Sequence, residues 1–375
     1  MAGIYIHIPF CLQACNYCDF HFSTSLKTKN KIISSIINEL ILRKNYLKND
    51  IIETIYFGGG TPSILEFSEL AKILECVFKY YNVSPDPEVT IESNPNDLNK
   101  KKIKNLISLG INRLSLGGQS FNDSQLKILN RNHSSFDVEN SIKISQDLGI
   151  NNINLDLIYG LPKLSVKDWE EDLNKAISLN VTHLSCYCLT IEKGTVFFNR
   201  LKKGTLKVVS DKHKTDQFLL MRKILINENY IHYEISNFCK QNYRSKHNSS
   251  YWNFQKYLGV GPSAHSFNGK TRQWNISNNS KYINSIKNNE VFYEEEVLTR
   301  NNIINEFILT SLRKMEGISN KKLKEITSQK EYTNIKLQIN DLVNRSLVSE
   351  KNDFYALTEQ GMILCDKITS DLFLV

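Results

Sequence analysis

Long apolar runs are missing from this sequence. Within its 375 residues, no stretch reaches the roughly 18 apolar residues that a membrane span requires. The first residues also lack the basic segment and apolar core of a secretory signal peptide. Eight cysteines in a chain of this length do not make a disulfide scaffold. These absences exclude an integral membrane protein and a disulfide-rich secreted domain, so we expect a reduced, cytoplasmic protein.

Clustered basic sequence is missing as well. The net charge is +8, but the lysines and arginines are scattered along the chain. Nucleic-acid binding needs a basic face or stripe, and we therefore expect no nucleic-acid partner. A positive balance is compatible with acidic small molecules and with peripheral contact at an anionic membrane. The sequence leaves that membrane contact, and homodimer formation, open.

Three thiols stand close together near the start of the chain. Cys11, Cys15 and Cys18 form a C-x3-C-x2-C array directly after a strand-like alternation of apolar and polar residues. Thiolates are the preferred ligands of iron–sulfur clusters. Three of them can hold three corners of a cubane and leave the fourth iron open to an outside ligand. The alternative is a structural zinc site with His7 or His21 as the fourth ligand.

Strand-like and helix-like segments alternate over the first two thirds of the chain. Such alternation predicts βαβ units and a parallel sheet. We therefore predict an α/β fold with an incomplete (βα)6 barrel over residues 1–232 and an α+β C-terminal domain over 233–375. The six predicted strands are residues 4–8, 54–57, 88–92, 112–116, 153–158 and 183–189.

The last part of the chain differs from the rest in its predicted secondary structure. Residues 303–315 and 334–344 are predicted helices, 347–357 a short hairpin, and 358–372 a final helix. Helices with a small β wing indicate a winged-helix-like end. Because no candidate recognition helix is rich in lysine or arginine, a lid or docking domain is favoured over DNA binding.

Polar and glycine-rich segments follow the predicted strands. The cysteine loop is followed along the chain by GGGTP at 58–62, ESNP at 92–95, GGQSF at 117–121 and the aspartate of LDLIYGLP. In (β/α) barrels the chemistry lies at the carboxyl ends of the strands. The sequence therefore predicts one site built from several strand ends.

Each of these segments also has a plainer interpretation. GGGTP lets a ligand approach bare backbone amides, but it equally fits an ordinary turn, and it lacks the lysine of a phosphate-binding loop. Glu92 could accept hydrogen bonds from a ribose or simply end a strand in solvent. Arg131 and Asp156 could each belong to a structural salt bridge, although a carboxylate within INLDLI is costly to bury without a function.

The motifs together resemble those of a known family. C-x3-C-x2-C is similar to the signature of radical S-adenosylmethionine (SAM) proteins, whose open iron binds SAM and whose reductive cleavage of SAM gives a 5'-deoxyadenosyl radical. YIHIPFC-x3-C-x-YC, GGGTP, NRLS-x-G-x-QSF, DLIYGLP and Y-x-LTIE-x-GT resemble the oxygen-independent coproporphyrinogen III oxidase group over essentially the whole chain. The resemblance implies cluster ligands at Cys11, Cys15 and Cys18. It implies SAM contacts at Tyr5, Tyr17, Gly59, Gly60, Thr61, Glu92, Gln119, Arg131 and Asp156.

Two features separate the HemW-type heme chaperones of this group from the oxidases. The oxidases carry a fourth cysteine where this chain has Phe20, and HNSSYW at 247–252 matches a chaperone motif, HN-x2-YW. The resemblance implies that His247 supplies an axial ligand to heme iron and that Tyr251 and Trp252 pack on the porphyrin. The alternative for this segment is a structural turn. One departure from the family pattern is Gly118, where relatives have a branched apolar residue, and we expect it to loosen the strand end.

The resemblance thus implies a heme chaperone that holds a [4Fe-4S] cluster, SAM and heme or a porphyrin, and delivers heme to hemoproteins. The second hypothesis is the oxidase itself, a radical SAM enzyme that decarboxylates coproporphyrinogen III with its cofactor supplying the chemistry. The third is a zinc-stabilised binding module. The sequence leaves open whether the protein is an enzyme.

Overall fold

The structure is a computed structural model that describes residues 1–48 and 50–374. Its strands are β1 (Ala2–Ile8), β2 (Ile52–Gly59), β3 (Val83–Ser93), β4 (Arg113–Gln119), β5 (Ile153–Tyr159), β6 (His183–Cys188), β7 (Ile231–Glu234), β8 (Asn237–Cys239), β9 (Lys256–Val260), β10 (His265–Phe267), β11 (Thr271–Asn275), β12 (Tyr293–Val297), β13 (Ile318–Ser319), β14 (Val348–Lys351) and β15 (Phe354–Leu357).

Helices connect most of these strands. They are α1 (Lys29–Leu42), α2 (Phe67–Tyr80), α3 (Lys100–Ser108), α4 (Asp123–Ile128), α5 (Ser135–Asp147), α6 (Val166–Ser178), α7 (Val196–Lys202), α8 (Asp211–Asn227), α9 (Lys246–Trp252), α10 (Asn279–Asn288), α11 (Arg300–Arg313), α12 (Asn320–Ile326), α13 (Gln329–Asn344), α14 (Glu359–Ile363) and α15 (Cys365–Asp371). Short 3-10 turns occur at Leu26–Thr28, Pro62–Ile64 and Pro95–Asp97.

Strands β1 to β6 form an incomplete parallel barrel in chain order. Their apolar runs are buried on both faces, as in β5, where the neighbouring Leu157 and Ile158 are at most 5% exposed. Because parallel strands need crossovers, helices such as α2 and α6 return the chain and place every strand's carboxyl end at the same edge. The cysteine loop and the glycine-rich segments therefore meet there, and the predicted fold class is confirmed.

Further strands extend the sheet beyond β1 and β6. The order is β12-β11-β10-β9-β1-β2-β3-β4-β5-β6-β8-β7, with β9 parallel to β1 and β8 antiparallel to β6. The segments on either side of residue 232 thus share one hydrogen-bonded sheet. The division of the chain into domains at that position stays a prediction.

The C-terminal part contains a small antiparallel sheet, in the order β13-β15-β14, together with α11 to α15. The predicted hairpin at 347–357 is β14 and β15. The predicted final helix is two helices, α14 and α15, that meet at Leu364. None of the helices in the described part of the chain is both long enough and apolar enough to cross a lipid bilayer.

Candidate functional site

A cavity of about 500 Å³ opens at the carboxyl ends of the parallel strands. We call it the thiol cavity. Predicted site residues that line it are Cys11, Cys15, Tyr17, Cys18, Gly59, Gly60, Thr61, Glu92, Gln119, Arg131 and Asp156. The structure therefore brings together all three predicted cluster ligands and all predicted SAM contacts except Tyr5.

Hydrogen bonds hold the cysteine loop against the end of α4 and the loop that follows it. The side-chain amide of Asn16 donates to the carbonyl of Ile128 at 2.7 Å, and its backbone amide donates to Leu129 at 3.0 Å. In return, the side chain of Asn130 donates to the carbonyl of Ala14 at 2.7 Å. These bonds fix a loop that has no regular secondary structure, so the thiols have defined positions.

Polar groups surround two of the thiols. Arg131 Nη1 lies 3.3 Å from Cys15 Sγ, and the Thr61 hydroxyl lies 3.4 Å from Cys11 Sγ. Burial raises the pKa of Cys11, and it raises that of Cys18 to about 11. A coordinated metal deprotonates a thiol outright, so metal binding would release protons here, and the Arg131 guanidinium would offset part of the resulting negative charge.

The glycines of 58–60 leave room that any side chain would fill. Gly59 has a φ of +110°, and a Cβ there would lie 2.7 Å from the His7 ring. A Cβ on Gly60 would lie 2.5 Å from the carbonyl oxygen of Phe10. The backbone can therefore pass between β1 and the cavity only with glycine at these two positions.

Glu92 lies at the carboxyl end of β3 and lines the thiol cavity. Its carboxylate accepts hydrogen bonds from the Tyr56 hydroxyl at 2.9 Å and from the Gly59 amide at 3.1 Å. Desolvation raises the pKa of Glu92 to about 7, and the charge of Asp156 adds to this effect. The two donors keep the carboxylate in one orientation, which suits a group that accepts bonds from ligand hydroxyls.

Three further predicted contacts complete the cavity. Gln119 has a φ of +69° where the pairing of β4 with β5 shifts register, and this bulge turns its side chain. Asp156 accepts a hydrogen bond from the Asn154 side chain at 2.8 Å, and burial raises its pKa. Burial also raises the pKa of Tyr17, so its hydroxyl is neutral.

These residues fit a thiolate-bound cluster beside a small polar ligand. The donor set is three free thiols next to a guanidinium whose buried Nε has no hydrogen-bond partner within residues 1–48 and 50–374. Two glycines that admit no Cβ and two carboxyl groups line the same space. Hydroxyl, ammonium and carboxylate groups of a ligand would all find complementary partners here.

A second cavity, of about 680 Å³, adjoins the first. We call it the aromatic cavity. Its walls carry Tyr5, His7, Asp19, Phe20, His21, Gly59, Glu92, Tyr251, Trp252, Phe254, Gln255, Tyr257, Ser263, His265, Phe267, Arg272, Glu306, Leu309 and Thr310. Tyr5 lies here rather than in the thiol cavity, and its hydroxyl donates a hydrogen bond to His7 Nδ1 at 3.2 Å.

The structure places the three residues predicted to hold heme at different depths. Tyr251 and Trp252 line the aromatic cavity, whereas His247 is 1% exposed beneath it. Its Nδ1 bonds to the Thr54 hydroxyl at 2.7 Å and its Nε2 to the Tyr251 hydroxyl at 2.8 Å. Burial lowers the pKa of His247 to about 3. The ring would have to leave one of these partners before it could bind iron.

The histidines considered for a zinc site already have other partners. His7 Nε2 donates to the carbonyl of His21 at 2.9 Å, and His21 Nε2 bonds to the Asn279 side chain at 2.8 Å. In the part of the chain that the structure describes, no group of three histidine, cysteine or carboxylate side chains is placed so that it could hold a single metal ion.

Sequence reasoning assigned no individual role to several residues of the thiol cavity. Asn94 lies within the ESNP segment, Asn130 follows α4, and Cys188 ends β6, which Thr190 and Glu192 follow. The available signal was their position at the ends of β3, α4 and β6. The wall formed by β9 to β11 had no comparable signal, because its pairing with β1 joins segments more than 250 residues apart.

The chain is similar in sequence to known proteins. Residues 5–176 match the model of the Radical SAM superfamily. The heme chaperone HemW of Bacillus subtilis is 34% identical over 372 residues, which cover 98% of each chain. The heme chaperone HemW of Escherichia coli is 31% identical over 385 residues, covering 99% of this chain and 98% of the relative.

A solved structure shares the fold over nearly the whole chain. The coproporphyrinogen III oxidase HemN of Escherichia coli, described as a radical SAM enzyme, superimposes with a TM-score of 0.86. The match covers 99% of this chain and 90% of the oxidase at 20% sequence identity. At that identity the likeness concerns the fold alone.

Proposed function

The chain belongs to the HemW heme chaperone family of radical SAM proteins, and from this premise we propose that it binds heme and delivers it to hemoproteins. Full-length similarity to relatives named as heme chaperones supports the proposal. The oxidase hypothesis is not favoured, because Phe20 stands where the oxidases have a fourth cysteine. A cytoplasmic location and recipient hemoproteins as partners are part of the proposal.

We propose further that Cys11, Cys15 and Cys18 hold a [4Fe-4S] cluster and that SAM lies beside it in the thiol cavity. When bound, the cluster would supply an electron and a coordination site for SAM. The amides of Gly59 and Gly60 already donate to Glu92 and to the Ile8 carbonyl. The space that these two glycines leave open would receive the amino-acid end of SAM, and Glu92 its ribose hydroxyls. Arg131 would offset thiolate charge and Asp156, on β5, would orient donors of the ligand from the opposite wall.

The cluster assignment is tested by replacing one thiol. Cys15→Ala should reduce bound iron to near zero after anaerobic reconstitution and abolish the cluster's visible absorption, since two thiolates cannot hold a cubane in place. The matched control is Cys76→Ala, which removes a buried thiol of α2 that bonds only to the carbonyl of Ile37. Full iron loading of the Cys15 variant would contradict the assignment.

The chaperone function is tested on the reconstituted protein in two assays. We expect stoichiometric heme binding in a spectrophotometric titration, and transfer of that heme to an apo-hemoprotein. With coproporphyrinogen III, SAM and reductant under anaerobic conditions, we expect no protoporphyrinogen IX by chromatography. Turnover in the second assay, without heme binding in the first, would establish the oxidase instead.

A further inference from the structure

Resting on the proposed function, we propose that the porphyrin of the bound heme lies in the aromatic cavity and that His265, not His247, is the ligand of its iron. The ligand class is an iron porphyrin, whose iron the imidazole on β10 would hold.

The walls of the cavity suit a flat apolar ligand. Tyr251 and Tyr257 meet edge to face with ring centroids 4.7 Å apart, and Phe254 meets Phe267 at 6.0 Å. Such packed aromatic rings bind large apolar faces by dispersion and burial. The volume of about 680 Å³ lies within the roughly 300–1,000 Å³ of pockets that take small molecules and cofactors.

The accessibility of the histidines narrows the choice of iron ligand. Of the eight histidines of the chain, a buried set is at most 8% exposed: His7, His133, His183, His232 and His247. His213 is accessible, but it lies on α8 and bonds to the carbonyl of Leu164. Only His21 and His265 remain as partly accessible rings on the wall of the aromatic cavity.

His265 is the better placed of these two. His21 already bonds to Asn279 through Nε2. Across residues 1–48 and 50–374, neither ring nitrogen of His265 has a hydrogen-bond partner, and its side chain is exposed. An imidazole with a free lone pair is the commonest protein ligand of iron and other transition metals.

The strand that carries His265 is held firmly. Its backbone pairs with Trp274 of β11, and the imidazole lies beside the indole with ring centroids 6.3 Å apart. A Cβ on Gly259 would lie 2.0 Å from the His265 carbonyl oxygen, so β9 and β10 pack closely there. A metal ligand on a rigid strand is more precisely placed than one on a loop.

The charges around the cavity indicate how the propionates would be directed. Among the described residues that line the aromatic cavity, Arg272 is the single arginine or lysine. The carboxylate of Glu306 already pairs with both terminal nitrogens of Arg272, at 2.6 and 3.0 Å. Asp19 and Glu92 are acidic, and Glu306 is already paired with Arg272. The described wall therefore offers no unpaired arginine or lysine to a carboxylate, and the propionates would extend through the open side into solvent.

Titration with two porphyrins separates iron ligation from apolar binding. His265→Ala should weaken ferric heme binding by about tenfold or more and shift the Soret band, while iron-free protoporphyrin IX binds as to the parent. His265→Met should retain heme with an altered spectrum, because a thioether can still ligate iron. Tyr257→Ala, which opens the wall, should weaken both porphyrins. His213→Ala is the matched control and should change neither.

Other results would overturn the proposal. An unchanged heme affinity and Soret band in His265→Ala would remove this residue as the ligand. The same conclusion would follow if heme affinity and the Soret band were lost only in His247→Ala or only in His21→Ala. Circular dichroism and thermal unfolding of each variant establish that the fold is retained. If the parent protein binds neither heme nor protoporphyrin IX, the proposed chaperone function itself is overturned, which is a distinct outcome from a misassigned ligand.

Discussion

At the scale of single residues, Gly118 shows how packing differs from a motif-based expectation. The family resemblance predicts a branched apolar side chain there, and its absence was expected to loosen the strand end. In the structure the space is filled instead, because an added Cβ would lie 2.6 Å from Leu155 Cδ1 and 3.3 Å from Val138 Cγ1. Leu155 is fully buried, so the strand end is compact.

Restoring the family residue at this position should destabilise the protein. We expect Gly118→Val to lower the free energy of unfolding by about 1–3 kcal/mol, since it overpacks a filled core. Denaturant unfolding measures this effect. Adding Leu155→Ala to the variant makes room for the valine, so the double variant should lose less than the sum of the two single losses. Strict additivity would contradict the packing argument.

Glu92 gives a pH-dependent prediction at the same scale. Its pKa is raised from the usual 4.5 to about 7, so between these pH values the folded state binds more protons than the unfolded chain. Stability therefore falls as the pH rises from about 4.5 to 7. Because the side chain is partly open to the cavity, we expect roughly 2 kcal/mol rather than the full effect of the shift.

The variant that tests this is Glu92→Gln. Its amide can accept from Gly59 and donate to the Tyr56 hydroxyl, which can also accept. Relative to the parent, it should gain stability on going from pH 5 to pH 8, as measured by urea unfolding. The exposed Glu171→Gln serves as a control. A stability difference that does not change with pH would refute the raised pKa.

At the scale of elements, the apolar runs that precede polar strand ends made β1 to β6 predictable. Each apolar run is a pattern of neighbouring residues, and such a pattern is enough to predict a buried strand. The positions of β9 to β12 were not predictable in this way. Their neighbour β1 is far away in sequence, and pairing between distant segments leaves little trace in either one. The burial of the His247 ring was not predictable for the same reason, since its partner Thr54 is distant in sequence. A heme ligand at His247, implied by HNSSYW, stays a prediction.

A buried carboxylate joins the added strands to the barrel. Glu39 of α1 is fully buried and bonds to Arg43 at 3.2 Å, to the Gly261 amide at 2.8 Å and to the Asn275 side chain at 2.8 Å. The Tyr282 hydroxyl of α10 donates to the same carboxylate. One side chain thus connects α1 with three segments that follow β9.

Removing this carboxylate should be costly. Glu39→Ala would leave the Arg43 guanidinium buried beside unpaired donors, and we expect a loss of about 3–5 kcal/mol in the free energy of unfolding. Glu171→Ala, which breaks an exposed pair with Lys167, should cost less than about 1 kcal/mol. Thermal and urea unfolding of both variants compare the two costs. Similar losses would mean that the network does not join these elements.

At the scale of the whole molecule, the site could be predicted only in part. The residues of the thiol cavity could be predicted to meet, because Cys11, Glu92 and others lie at or after the carboxyl ends of parallel strands, and these ends share one edge of the barrel. Tyr5 lines the aromatic cavity instead. The aromatic cavity arises where β9 to β11 and α9 close over β1, and only tertiary structure assembles it.

Four residues, Asp19, Phe20, Gly59 and Glu92, line both cavities. Phe20 is 68% exposed at this common boundary, in the position where the oxidases have cysteine. Two ligands bound on opposite sides of one wall belong to a single thermodynamic cycle. Whatever factor SAM applies to the affinity for heme, heme must apply the same factor to the affinity for SAM. If this factor differs from one, the affinity for heme follows the supply of SAM.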